Sequence, residues 1–114
     1  MCFSRAVPTE LALSAYRPLP GKGEELQAFF AEELETLRRR GHVTDRRVPV
    51  VRTDAGEYLV VLEWSSEHAV GDAHEDPEIL ALWVRKAQLA DYIPPGELAG
   101  ADVPFARWTL VADV

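Results

Sequence analysis

Tyr58-Leu59-Val60-Val61-Leu62-Glu63-Trp64 restricts the fold more than any other stretch of the chain. Side chains alternate across a strand, so Tyr58, Val60, Leu62 and Trp64 form one side and Leu59 and Val61 the other. Both sides are apolar, and a strand of that kind belongs inside a sheet with something covering each face. A layer of helices can cover one face. The other needs a partner, a ligand or more of the chain.

Glu24 to Arg40 supplies helical cover. Leu26, Phe29, Phe30, Leu34 and Leu37 recur at three- and four-residue steps, which gathers them on one helical face. Glu24 and Glu25 open the segment, Arg38, Arg39 and Arg40 close it, and Gly41 follows, an order that suits the helix dipole and the stop. Burying each of the large side chains contributes roughly 1.5 to 3 kcal/mol.

The remaining segments follow the same logic. Thr9 to Arg17 alternates as a strand and ends at Pro18-Leu19-Pro20-Gly21. Val43 to Thr53 is β-branched, and Asp54-Ala55-Gly56-Glu57 turns it into Tyr58 to Trp64 as a hairpin. Pro49 has no N–H to give a ladder, which predicts a sheet edge or a bulge there. A second helical region starts at Ser65 or Ser66 and runs weakly to His74. Asp76-Pro77 restarts it, and Ile79, Leu80, Trp83, Ala87 and Ala90 carry its apolar face to Tyr92. Ile93-Pro94-Pro95-Gly96 stops it, and Phe105 to Ala112 is the last strand.

Strand, helix, strand, strand, helix, strand is the ferredoxin-like βαββαβ order. It predicts an α+β fold, a four-stranded antiparallel sheet with two helical regions on one face, as a single domain over residues 1–114 with 1–8 as a flexible leader. The uncovered face predicts a homodimer with a cavity between the sheets.

Composition narrows the function classes. A chain of 114 residues buries roughly two-thirds of its unfolded surface, so neither disulfides nor a structural metal are needed. A net charge of -7 opposes binding to nucleic acid and to anionic membranes. No apolar run approaches the roughly 18 residues of a membrane span. The single cysteine is Cys2 and the first residues lack the apolar stretch of a secretory signal, which predicts a cytoplasmic protein.

Three places carry a resemblance: Arg17-Pro18-Leu19-Pro20-Gly21-Lys22-Gly23-Glu24, Leu62-Glu63-Trp64-Ser65-Ser66-Glu67 and Ala73-His74-Glu75-Asp76-Pro77. With them the chain resembles the antibiotic-biosynthesis-monooxygenase-like group of the dimeric α+β barrel superfamily, from Thr9 to Val111. The resemblance implies a homodimer through the open sheet face and a cavity behind the sheet for a small aromatic or polyketide-like compound. Its enzymes oxidise such compounds without metal, flavin or haem, by removing a proton and letting dioxygen react with the delocalised anion. The asparagine and tyrosine such enzymes also use correspond here to Val60 and Val70, and the chain contains no asparagine.

The resemblance makes His74 the base, Arg85 the cation facing a developing oxyanion, and Trp64 with Tyr58 the holders of the ring. Tyr16 is a further candidate for a hydrogen bond to the ligand. Cofactor and metal are both expected to be absent: His68 and Asp72 have the spacing of a ligand pair, with no third ligand to complete it. The alternative is a non-catalytic homodimer of the same fold that binds a small molecule or serves as structure. Convergence of imidazole, guanidinium and hydroxyl in one pocket would favour the enzyme, and a dry aliphatic lining the module.

Overall fold

The computed structural model describes residues 9–114; the leader and Cys2 lie outside them. Five strands and three helices follow the order β1 (Glu10–Pro18), α1 (Gly23–Arg39), β2 (Pro49–Arg52), β3 (Tyr58–Trp64), α2 (Ala69–His74), α3 (Pro77–Ala87), β4 (Ala90–Ile93) and β5 (Thr109–Asp113). A short 3₁₀ turn, Pro95–Glu97, stands between the last two strands. The sheet is antiparallel throughout, with the order β4-β1-β3-β2-β5. The fold is α+β and compatible with a ferredoxin-like arrangement, with five strands in place of the expected four.

Two of the expected elements are corrected, and the first correction adds the fifth strand. Ala90 to Tyr92, which helical spacing assigned to the end of the second helical region, instead joins Ile93 in a strand that follows the end of α3 at Ala87 and pairs with β1, Ala15 facing Ile93 and Tyr16 facing Tyr92. The free edge of β1 supplies ladder partners that a frayed helix end would lack. The last strand is also shorter than Phe105–Ala112. Thr109–Asp113 adds to the outer edge of β2, so β2 is an interior strand and its register slips between Val50 and Val51, next to Pro49.

Tyr16, Val50, Tyr58, Val60 and Leu62 face the helices and pack with Leu26, Phe29, Phe30, Leu34, Leu37, Ile79 and Leu82 in the main core. Gly41 ends α1 with φ +78°, a backbone conformation only glycine takes without strain. The arginines of the last turn reach beyond the helix. Arg39 pairs with Glu78, and Arg40 Nε lies 2.8 Å from Asp76 Oδ2. Asp76 caps α3 through the Glu78 N–H, and Pro77 follows at the first helical position.

The opposite face of the sheet is covered in part by the chain itself. Ala15, Leu59 and Ile93 lie beneath Leu98, Ala101 and Trp108 of the segment joining β4 to β5. Glu57 pins that segment: its Oε1 accepts the Ala99 N–H at 2.9 Å, and Trp108 Nε1 donates to Ala99 O at 2.8 Å. Burial pushes the Glu57 carboxyl up, but the Ala99 amide, Arg17 and Thr53 outweigh it and hold the group below its ordinary value. The cover stops short of the β1 and β5 ends, where Leu11 is 62%, Leu13 53% and Leu110 59% exposed. Among the described residues no helix is long and apolar enough to cross a membrane.

Candidate functional site

One face of α1 and one face of α3 each carry a charge into the core. On α1, Glu33 follows Phe29 and Phe30 on the apolar stripe; on α3, Lys86 follows Ile79, Leu82 and Trp83. The helices pack against each other, so the two side chains meet. Lys86 Nζ donates to Glu33 Oε2 at 2.5 Å and to the Tyr16 hydroxyl at 3.0 Å. Trp83 Nε1 donates to the same Glu33 oxygen at 3.0 Å. The ammonium also sits over the rings of Tyr16 and Tyr92, 4.8 and 5.1 Å from their centroids, in cation–π geometry.

Electrostatics fixes the protonation of this cluster. Burial alone would lower the Lys86 pKa, but Glu33, Tyr16 and Tyr92 outweigh it and raise it above the ordinary lysine value. Lys86 is therefore a cation and neither a nucleophile nor a base. Burial raises the Tyr16 pKa, and Glu33 and Tyr92 add to it, against the opposing effect of Lys86. Tyr16 is a neutral phenol. The cluster is an ion pair with a polarised hydroxyl beside it, equipped to donate hydrogen bonds to an oxygen and not to remove a proton through Tyr16 or Lys86.

A cavity of about 50 Å³ opens beside these groups, between the sheet and the helices. Ser14, Tyr16, Glu33 and Lys86 give it polar walls, and Leu34, Leu37, Val60, Leu62, Trp64, Trp83 and Tyr92 give it apolar ones. A larger groove of about 590 Å³ lies at the start of α1, bordered by Glu24, Arg52, Asp54 and Thr109. It is open to solvent and its charged groups are exposed, so nothing holds them in one geometry. The smaller cavity, with buried and mutually oriented polar groups, is the candidate site.

The structure brings two of the expected site residues to that cavity and leaves three elsewhere. Tyr16 and Trp64 line it. Tyr58 lies on the same face of the sheet but turns its hydroxyl to Gln27 Oε1 at 3.1 Å and Gly23 O at 3.3 Å, bordering the groove instead. His74 is exposed at the end of α2, its Nδ1 2.8 Å from Val70 O and its ring edge-on to Trp83 at 4.8 Å. Arg85 points to the outer side of α3, where it clasps Glu32 with contacts of 2.6 and 3.2 Å and covers the Phe29 ring. Imidazole, guanidinium and hydroxyl do not converge.

Glu33 and Lys86 were not among the expected residues. The signal for them is a charged residue on each apolar stripe, of opposite sign on the two helices. Among the described residues, no three His, Cys, Asp or Glu side chains form a group that could hold a metal. No protein-family model, curated protein or solved structure matches the chain. The geometry alone therefore carries the functional reading.

Proposed function

We propose that the chain is a homodimeric binding protein, similar in design to the antibiotic-biosynthesis-monooxygenase-like group, that holds a small aromatic or polyketide-like compound in the cavity between sheet and helices. The observation that carries the proposal is the make-up of that cavity: indole and phenol rings with a few buried, oriented polar groups. At about 50 Å³ it is well below the roughly 150 Å³ that accommodates benzene, so a ring enters only when a wall moves. Tyr92, 60% exposed and without a hydrogen bond from its hydroxyl among the described residues, is the wall free to do so.

Binding is favoured over cofactor-independent oxygenation by the same geometry. Oxygenation also needs a base free to take a proton from the ring; His74 and Arg85 stand outside the cavity, and within it the Glu33 carboxylate is engaged by Lys86 and Trp83. The exposed Leu11, Leu13 and Leu110 support pairing of two sheets in a dimeric barrel.

Native mass spectrometry of freshly purified protein tests the proposal. A dimer carrying an aromatic adduct is the expected result. A monomer without adduct opposes it. Oxygen uptake on adding the identified compound would move the reading from binding to catalysis.

A further inference from the structure

The groove at the start of α1, about 590 Å³, has the volume of a small-molecule site and shares no lining residue with the cavity between sheet and helices. Its charged side chains are exposed, but the backbone that carries them is fixed. Arg52 of β2 pairs with Tyr58 of β3 on one side and with Thr109 of β5 on the other. Residues paired in this way share a face of the sheet, so guanidinium, phenol and hydroxyl stand in one row along the groove. Asp54 follows on a turn closed by two backbone hydrogen bonds, Thr53 N–H to Glu57 O at 2.8 Å and Gly56 N–H to Thr53 O at 2.9 Å. Glu24 lines the groove from the first turn of α1, whose start the Tyr58 hydroxyl ties to β3 through Gly23 O at 3.3 Å.

The chain has 19 Asp and Glu against 12 Lys and Arg, so its cations are the charges that find partners easily. Among the described residues, every lysine and arginine except Arg52 and Arg107 has an ion pair or a hydrogen bond. Arg52 has neither, although Glu24 and Asp54 line the same groove and are themselves unpaired among the described residues. A ligand of one sign is poorly served there. An anion on Arg52 is repelled by the two carboxylates, and a cation on the carboxylates is repelled by Arg52. We propose that the groove binds a small zwitterion, an α-amino acid, with its carboxylate on the Arg52 guanidinium and its ammonium at Glu24 and Asp54. Thr109, beside Arg52 in the ladder, offers a hydroxyl to the same carboxylate. Gly21 and Gly56 put no side chain into the groove, which leaves room for the side chain of the ligand. Exposed ionic contacts contribute little each, so binding falls in the millimolar range.

The test is a nuclear magnetic resonance titration of the ¹⁵N-labelled whole chain with L-alanine, propionate and alaninamide at constant pH and ionic strength. Propionate keeps the carboxylate alone and alaninamide the ammonium alone. Alanine is expected to displace the amide signals of Gly21, Gly23 and Gly56 saturably, with each single-charge analogue binding about threefold more weakly or worse. Arg52→Gln, and Glu24→Gln with Asp54→Asn, are each expected to weaken alanine by a similar factor. All three positions are exposed, and the remaining amide signals report that the variants are folded. Groove signals that do not respond to alanine overturn the proposal. So does either analogue binding as well as alanine in the unsubstituted chain, a comparison that needs no variant. Alanine affinity unchanged in the folded variants also overturns it.

Discussion

Lys86 Nζ and Glu33 Oε2 are 2.5 Å apart, and both side chains are almost wholly buried between α1, α3 and the sheet. A buried pair of this kind is costly to break and cheap to replace. Removing one partner leaves an uncompensated charge, while replacing both with apolar groups removes the desolvation cost along with the attraction. Lys86→Met is expected to lose about 3–5 kcal/mol of stability. Lys86→Met with Glu33→Leu is expected to recover most of it, ending within about 1–2 kcal/mol of the unsubstituted chain, because Trp83 Nε1 loses its acceptor. Urea unfolding of the three proteins checks this. If the double variant is as unstable as the single one, the pair contributes more than mutual neutralisation.

A second charge cluster governs behaviour in acid. Arg40 and His42 each place a nitrogen 2.8 Å from Asp76 Oδ2, and Arg40 first, then His42, hold this carboxyl far below its ordinary value despite its burial. A group depressed on folding stabilises the fold fully above its unfolded pKa of about 4, and that contribution disappears as pH falls toward the folded value. Asp76→Asn keeps a capping side chain without the charge. Its deficit in stability is expected to be constant near neutral pH and to shrink steadily below about pH 4. A deficit that stays level from neutral pH into acid would mean that Asp76 acts through its cap alone.

The parts of the fold that were legible in the sequence are those in which local pattern and tertiary role agree. Leu26, Phe29, Phe30, Leu34 and Leu37 lie on the buried face of α1 because three- and four-residue spacing is sufficient to put them there. Asp76-Pro77 starts α3 because a capping carboxylate and a proline act within one turn. Ala90–Ile93 is different: Ala90 keeps the helical step, and its conversion to a strand is decided by β1, more than seventy residues earlier in the chain. Phe105 to Trp108 alternates as a strand would, yet it belongs to the crossing segment pinned by Glu57, a contact that no local pattern encodes.

The site was less legible for a related reason. Reading the helices for apolar positions finds Trp83 and passes over Glu33 and Lys86, since each charge alone looks like a gap in the stripe. Only the packing of α1 on α3 turns the two gaps into a pair. Trp64 entered through the resemblance and Tyr16 as a strand hydroxyl able to hydrogen-bond a ligand, and both face the helices.

His74 and Arg85 provide a direct comparison with the cavity residues. Both are exposed and satisfied locally, by Val70 O and by Glu32. His74→Ala and Arg85→Ala are expected to leave the affinity for phenol within about twofold of the unsubstituted chain, a change below roughly 0.4 kcal/mol. Tyr92→Ala should instead speed association severalfold by removing the movable wall, with a stability loss of about 1 kcal/mol from its contacts with Tyr16 and Lys86. Stopped-flow tryptophan fluorescence reads the rate through Trp64 and Trp83. A large loss of affinity in His74→Ala would return the imidazole to the site.

The open end of the sheet makes the last prediction. Leu11 and Leu13 of β1 face away from the helices and lie beyond the cover provided by Leu98, Ala101 and Trp108. Two copies paired there would bury these leucines against each other through one self-complementary patch, the arrangement two-fold symmetry requires. A charge placed in such a patch meets its own copy across the axis and is desolvated without a partner. Leu13→Arg is therefore expected to abolish the proposed dimer and leave a monomer. Because Leu13 is half exposed in the single chain, the substitution should change the stability of the monomer fold by no more than about 0.5 kcal/mol. Native mass spectrometry gives the oligomeric state, and circular dichroism confirms that the fold is retained. A folded variant that remains dimeric would place the interface elsewhere, on the helices or on the exposed Phe105 of the crossing segment.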